Sequence, residues 1–246
     1  MKYFILTGTS RGLGEAMAKS LISSQHHLFC ISRNKNEALS SNNDNIDQIE
    51  FDLDQTSQIE EMMEQIFSSI DDKDAEGVYL INNAAILTPL SRIEEADGNE
   101  LSKNLHVNLL SPIILTSSFI RFSKRLQVDK RVLNISSASA RHLLPGMSAY
   151  SAAKAGLDIF TKCVGVEQGV DAHAVKVVSV WPGMIDTSLQ EEARHADKRT
   201  FPAAEIFGNV KDQGMLASPA STAEKILSLF LGDGFAQGAV VEELFA

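Results

Sequence analysis

The chain has 246 residues, of which 44% are hydrophobic and 22% charged, enough for a sizeable core and ordinary for a globular domain. A net charge of −10 argues against a nucleic-acid or acidic-membrane partner, because phosphate-binding surfaces need clustered Lys and Arg. No apolar run approaches the ~20 residues of a bilayer span, and residues 1–7 read as a first strand rather than a cleavable leader, so a cytoplasmic protein is expected.

Residues 3–6 form a short apolar strand, followed by glycines and an amphipathic helix to about Leu21. Residues 28–31 give a second strand ending at Ser32 and Arg33, and Ile49, Glu50 and Phe51 close a third. Ile59, Met62, Met63, Ile66, Phe67 and Ile70 then recur at helical spacing. A fourth strand over 78–81 ends at Asn82 and Asn83. A long helix is expected from about 98 to 126, bent by Pro112. Residues 132–135 are the fifth strand, 148–166 a helix and 175–180 the sixth strand. After an irregular stretch over 187–215, a helix over 219–231 precedes a last strand near 239–241.

Continuous apolar strands separated by helices imply a parallel sheet with right-handed crossovers. The expected architecture is α/β: one doubly wound domain over 1–246 with a mostly parallel seven-stranded sheet. The long 187–215 stretch reads as a substrate loop or lid within it. Cys30 and Cys163 are read as buried free thiols, and the histidines show no metal-ligand spacing, so no metal is expected.

Between the first strand and helix the chain reads Thr7-Gly8-Thr9-Ser10-Arg11-Gly12-Leu13-Gly14. Glycines there let the backbone turn sharply and approach a pyrophosphate, whose charge the helix N-terminus stabilises. An ordinary Gly-rich turn would look similar, but the strand-turn-helix context is the one a dinucleotide site requires. Sites for NAD usually carry an acidic residue at the end of the second strand. Here Ser32 and Arg33 occupy that place and Arg11 lies in the turn. Either arginine alone is equally read as surface charge; together they suit a 2′-phosphate and favour NADP(H).

Tyr150 and Lys154 are four apart on a predicted helix and share a face. The pair is a weak signal alone, but Ser136 and Ser137 end the fifth strand, at the ligand-binding edge of a parallel sheet. A phenol of pKa near 10 needs a shift of about 3 units to act at neutral pH. An ammonium ~4 Å away at an effective dielectric near 20 is worth about 4 kcal/mol and would supply it.

These motifs together resemble a classical short-chain dehydrogenase/reductase, a Rossmann-fold family, over residues 3 to about 242. The resemblance rests on the glycine turn, Asp52-Leu53, Asn82-Asn83-Ala84, Asn108, Ser137, Tyr150 with Lys154, and Pro182-Gly183 with Thr187. It implies that Ser137 hydrogen-bonds a substrate carbonyl and that Tyr150 protonates it. Lys154 would hold the cofactor ribose, with Asn108 organising a water for proton supply. It also implies that Gly8, Ser10, Arg11, Gly12, Leu13, Gly14, Ser32 and Arg33 bind cofactor. Asp52 and Leu53 would flank the adenine, Asn83 and Ala84 the adenosine ribose. Pro182, Gly183, Ile185 and Thr187 would line the nicotinamide end. Ala85 departs from the glycine usual after Asn-Asn-Ala.

The second half is similar to sepiapterin reductases and bacterial benzil reductases, through residues 182–190, Ala193-Arg194, 216–219, 223–227 and 237–242. That similarity implies a ketone or dicarbonyl substrate and gives Glu242 as a pterin-anchoring acid, which is equally read as a solvated terminal glutamate. Leu143, Leu144, Met147, Met184, Leu189 and Phe201 are candidate pocket walls, or simply core and lid packing. Reduction of another carbonyl class (3-oxoacyl or sugar), or a non-catalytic NADP sensor, remain alternatives. The family's habit of pairing the 98–126 and 148–166 helices implies a homodimer or homotetramer.

Overall fold

Strand β1 (Lys2–Thr7) sends Tyr3 and Ile5 to one face of the sheet and Phe4 and Leu6 to the other, and all four are buried. Both faces must therefore be covered, which is how a parallel sheet buries itself. In the computed structural model, which describes residues 1–39 and 44–244, this alternation organises two core layers. The remaining strands are β2 (His26–Ser32), β3 (Ile46–Glu50), β4 (Gly77–Asn82), β5 (Asp129–Ile135), β6 (Lys176–Val180) and β7 (Ala239–Val241). Among the described residues they form one sheet in the order β3-β2-β1-β4-β5-β6-β7, with every pair parallel.

Helices α1 (Gly12–Leu21) and α8 (Pro219–Leu231) cover the Phe4 face with Met17, Leu21, Ile226 and Phe230. The Ile5 face is covered by α2 (Ile59–Ser68), α4 (Ser111–Phe122) and α5 (Ser148–Gln168), through Met63, Phe67, Leu115, Phe119 and Val164. Each such side chain is worth about 1.5–3 kcal/mol when fully buried.

Two stretches differ from the sequence expectation. Residues 98–126 are not one bent helix. Asp97 caps α3 (Gly98–Leu105) by accepting from the Asn99 and Glu100 amides. A π turn, His106–Leu110, follows, in which the Ser111 amide reaches back five residues to the His106 carbonyl. Pro112 then sits in the first turn of α4, where its missing N–H costs little. It cannot donate to the Asn108 carbonyl in the α-helical pattern, so the distortion falls one turn before the proline. The run Gly98–Arg125 has the length and composition of a membrane span, yet Leu115 and Phe119 within it lie in the core.

The 187–215 stretch is not irregular. It holds α6 (Ser188–His195), capped by Thr187, and α7 (Ala204–Asp212). The Gln190 side chain on α6 donates to the Phe207 carbonyl on α7 at 2.8 Å, fastening the two helices together. Fully buried Phe201 joins them to Met147, Tyr150 and Leu87 in a third apolar cluster. Both cysteines are free thiols; Cys30 is buried, while Cys163 is exposed, contrary to expectation.

Candidate active site

The strand order reverses direction at β1, whose neighbours β2 and β4 are reached by crossovers to opposite sides. Ligand clefts open at such switch points, beyond the carboxyl ends of the strands. The Thr7 hydroxyl holds this point together, accepting from the Asn83 and Ala84 amides at 2.9 and 3.1 Å. The Asn83 side-chain amide donates back to the Thr7 carbonyl at 2.9 Å.

Gly8 has a φ of 74°, and a Cβ there would meet the Ala84 Cα at 2.9 Å. A Cβ on Gly14 would fall 2.1 Å from the Gly8 carbonyl oxygen. These two glycines press the start of α1 onto the turn. No side chain caps α1, so its first amides are free to face a ligand. The turn opens into a cleft of about 530 Å³. Gly8, Ser10, Arg11, Gly12, Leu13, Gly14, Ser32, Arg33, Asp52, Leu53, Asn83, Ala84, Pro182, Gly183, Ile185 and Thr187 all line it. Burial pushes the carboxyl of half-buried Glu192 on α6 up, while Arg11 and Arg33 pull it down, so both guanidiniums share one neighbourhood.

Ser137, Tyr150 and Lys154 line the same cleft. The Ser137 hydroxyl is fixed at the end of β5, where it accepts from the Ser139 amide at 3.1 Å. Burial pushes the Tyr150 phenol up to about 12, and a hydrogen bond with Ser137 opposes the shift. Lys154 is 2% exposed, and its Nζ donates to the Ile135 carbonyl at 2.8 Å. That Nζ lies 5.6 Å from the Tyr150 ring centroid. Burial pulls the Lys154 ammonium down to about 8, with Asp158 opposing. Desolvation thus outweighs the Ser137 hydrogen bond and raises the phenol, the reverse of the downward shift expected from the sequence.

Asn108 does not line the cleft. Its amide clamps Ile86, accepting from the Ile86 N–H at 3.1 Å and donating to the Ile86 carbonyl at 2.8 Å. Ile86 does line the cleft, so Asn108 shapes its wall. Met147, Met184 and Leu189 are lining residues, as is Leu144. Leu143 is not: it is 75% exposed. Phe201 is packed beneath the wall rather than in it. Glu242 lies outside the cleft, in a separate recess with Trp181 and Lys225, where it takes a 2.7 Å hydrogen bond from Arg141.

Sequence reasoning missed Leu87, His142, Gln190, Ile206 and Phe207 as lining residues. The last three sit on α6 and α7, and a correct helical reading of 187–215 would have offered them. Leu87 and His142 lie in loops, where no periodicity marks them.

The family model for short chain dehydrogenases matches residues 2–198. The chain is a short-chain dehydrogenase. It is 38% identical over 245 residues to a benzil reductase ((S)-benzoin forming) of Bacillus cereus, covering 98% of each chain. Sepiapterin reductase of Bos taurus is 27% identical over 252 residues, covering 97% of this chain and 92% of that one. Among solved structures, the KRED1-Pglu enzyme superposes with a TM-score of 0.83 at 22% identity, covering 98% of this chain and all (100%) of that chain.

Short-chain dehydrogenases use nicotinamide cofactors, and the residues present fit one. The uncapped α1, the close glycine approach and the two arginines suit a charged pyrophosphate end.

The burial of Lys154 generates a stability prediction. Its folded pKa lies below the unfolded value, so the unfolded chain binds more protons between about 8 and ~10.4. Below that window the fold bears the full cost of a buried ammonium; above it the lysine is neutral in both states and the cost vanishes. Lys154→Met cannot titrate, so its stability relative to the wild type should decline as pH rises through this window, by about 1.4 kcal/mol for each unit by which the lysine is shifted. Thermal unfolding from pH 7 to 10.5 checks this: a difference between variant and wild type that stays constant with pH contradicts it.

Proposed function

We propose that this oxidoreductase reduces a 1,2-diketone of the benzil type to the hydroxyketone, using NADPH, with Tyr150 as proton donor. One observation carries the reading: Ser137, Tyr150 and Lys154 line the same cleft as the glycine turn and its two arginines. The relationship to the Bacillus cereus benzil reductase supports it.

When bound, the reduced nicotinamide supplies a hydride to the carbonyl carbon. The protein's part is to hold and protonate the oxygen. Ser137 Oγ and the Tyr150 hydroxyl are the donors beside the cleft, and a phenol pushed up to about 12 carries its proton at neutral pH. As negative charge develops on the oxygen, Tyr150 passes that proton over. Lys154, charged below about 8, stabilises the phenolate left behind and binds the ribose. Pro112 leaves the Asn108 carbonyl without its α-helical donor, and with the Asn108 amide clamped on Ile86 this carbonyl is the group that orders a proton-supplying water.

Leu87, Leu144, Met147, Met184, Leu189 and Phe207 make the substrate end apolar, which suits aryl diketones. A pterin would call for a carboxylate in the cleft, and Glu242 is held outside it by Arg141. The α6–α7 segment over 187–215 serves as the lid. Leu105 and Leu110 ahead of α4, and Ile159 and Val166 on α5, are exposed apolar side chains on the helices that would pair in a homodimer or homotetramer. We assign the enzyme to the cytoplasm, a reading that its two free thiols support.

Three outcomes test this reading. Benzil should drive NADPH oxidation, and Tyr150→Phe should slow it about 10²- to 10⁴-fold; equal rates would sink the mechanism. Tight NADPH binding with no turnover of any carbonyl would instead mark a sensor. Arg33→Asp should reduce the kcat/KM preference for NADPH over NADH by about tenfold or more, since one charge-assisted bond is worth ~1.5–3 kcal/mol; an unchanged ratio refutes the NADP assignment. Sedimentation should show a dimer or tetramer that Ile159→Glu weakens, and a wild-type monomer overturns the assembly.

A further inference from the structure

Asp158 lies on α5 one helical turn beyond Lys154, as Lys154 lies one turn beyond Tyr150, so all three share a face. It is 7% exposed. Ser179 Oγ, on β6, donates to its Oδ1 at 2.6 Å, and the Trp181 indole N–H donates to its Oδ2 at 2.9 Å. Both donors are neutral, so among the described residues nothing cationic touches this carboxylate. A buried carboxylate with no compensating cation is costly, and polar donors offset only part of that cost.

The groups that face the Lys154 ammonium can be named from each element packed around it. From β5 comes the Ile135 carbonyl, which accepts from Nζ. From its own helix come the Tyr150 ring and Asp158. The Ser136 hydroxyl, after β5, donates to the Lys154 backbone carbonyl. Among the described residues Asp158 is the charged group that bears on this ammonium, and it favours the charged form.

We propose that Asp158 is a positioning residue of the active site: its carboxylate, locked by Ser179 and Trp181, is the counter-charge that keeps the buried Lys154 ammonium charged and aimed at the Ile135 carbonyl. Neither charge is favourable at this depth alone; each is tolerated because the other lies one turn away. The inference rests on the assignment of Lys154 to the catalytic site, but its test does not depend on turnover.

Asp158→Asn isolates the charge, because an amide can accept from the Trp181 indole while donating to the Ser179 hydroxyl. Titration of lysine-13Cε-labelled, cofactor-free protein by NMR reads Lys154 directly, its resonance assigned by its loss in Lys154→Met. In Asp158→Asn the Lys154 midpoint should fall by about one pH unit. A merely structural loosening would admit water to the ammonium and move the midpoint upward, so an unchanged or raised midpoint overturns the proposal. Should Asp158→Asn fail to fold, the double variant Asp158→Asn/Lys154→Met decides. Removing the stranded ammonium as well should restore folding, and a double variant equally unfolded contradicts the pairing. A wild-type protein that reduces no carbonyl would sink the reductase reading and leave this titration standing.

Discussion

The clamp between Thr7 and Asn83 fixes where the chain parts at the end of β1, and the cleft exists because of that parting. Two parallel strands with crossovers to opposite sides cannot close over their own carboxyl ends. The gap that results is lined by whatever follows each strand. Here these are the glycine turn after β1, Ser32 and Arg33 after β2, Asn83 and Ala84 after β4, Ser137 after β5, and Pro182 and Gly183 after β6. Five strand ends thus contribute to one cleft, although the contributing segments are far apart in sequence. The contact of α1 with the turn, where Gly14 leaves no room for a Cβ against the Gly8 carbonyl, depends on the same clamp.

At the catalytic end the controlling quantity is desolvation. Tyr150 and Lys154 are both removed from water, and burial pushes each toward its neutral form: the phenol up to about 12 and the ammonium down to about 8. Under the proposed mechanism a neutral phenol suits a proton donor, whereas a partly neutral lysine does not suit a phenolate-stabilising group, so that mechanism requires something to retain the charge. Stability and catalysis oppose each other here, as is common where active sites bury ionisable groups.

Most of this was legible in the sequence, and the reasons differ by region. The central strands were found because they carry apolar runs, the mark of burial on both faces, whereas half-exposed β3 has no such run and showed only its apolar end. The glycine turn and the pair of Tyr150 and Lys154 stood out by residue type and spacing, and the structure brings both to one cleft. The α6 and α7 helices were missed because α6 is short and polar, with only Leu189 and Ala193 as its apolar stripe. Its stability comes from the Thr187 cap and from packing on α7, a tertiary effect without a local pattern. The π turn was misread as a bend at Pro112, since a proline disturbs the residues whose carbonyls it cannot satisfy rather than its own position. Asp158 drew no attention because a lone helical Asp is usually solvated, and only the arrival of Ser179 and Trp181 from β6 shows otherwise.

The indole that serves Asp158 also reaches the rim of the site. While the Trp181 N–H points inward to the carboxylate, the Arg141 guanidinium lies 5.4 Å from its ring centroid and the His142 ring 6.2 Å away, edge-on. Arg141 in turn holds Glu242, and the Trp181 amide donates to the Val241 carbonyl at 2.9 Å, tying the C-terminal strand to the same point. The consequence is a division of charge. Ionic groups are collected on the outer side of Trp181, in a recess with Glu242 and Lys225, while the inner wall keeps Leu144, Met147 and Leu189. Arg141 thereby ties the loop after β5 to the C-terminal strand, with the Trp181 ring as the surface on which the two meet.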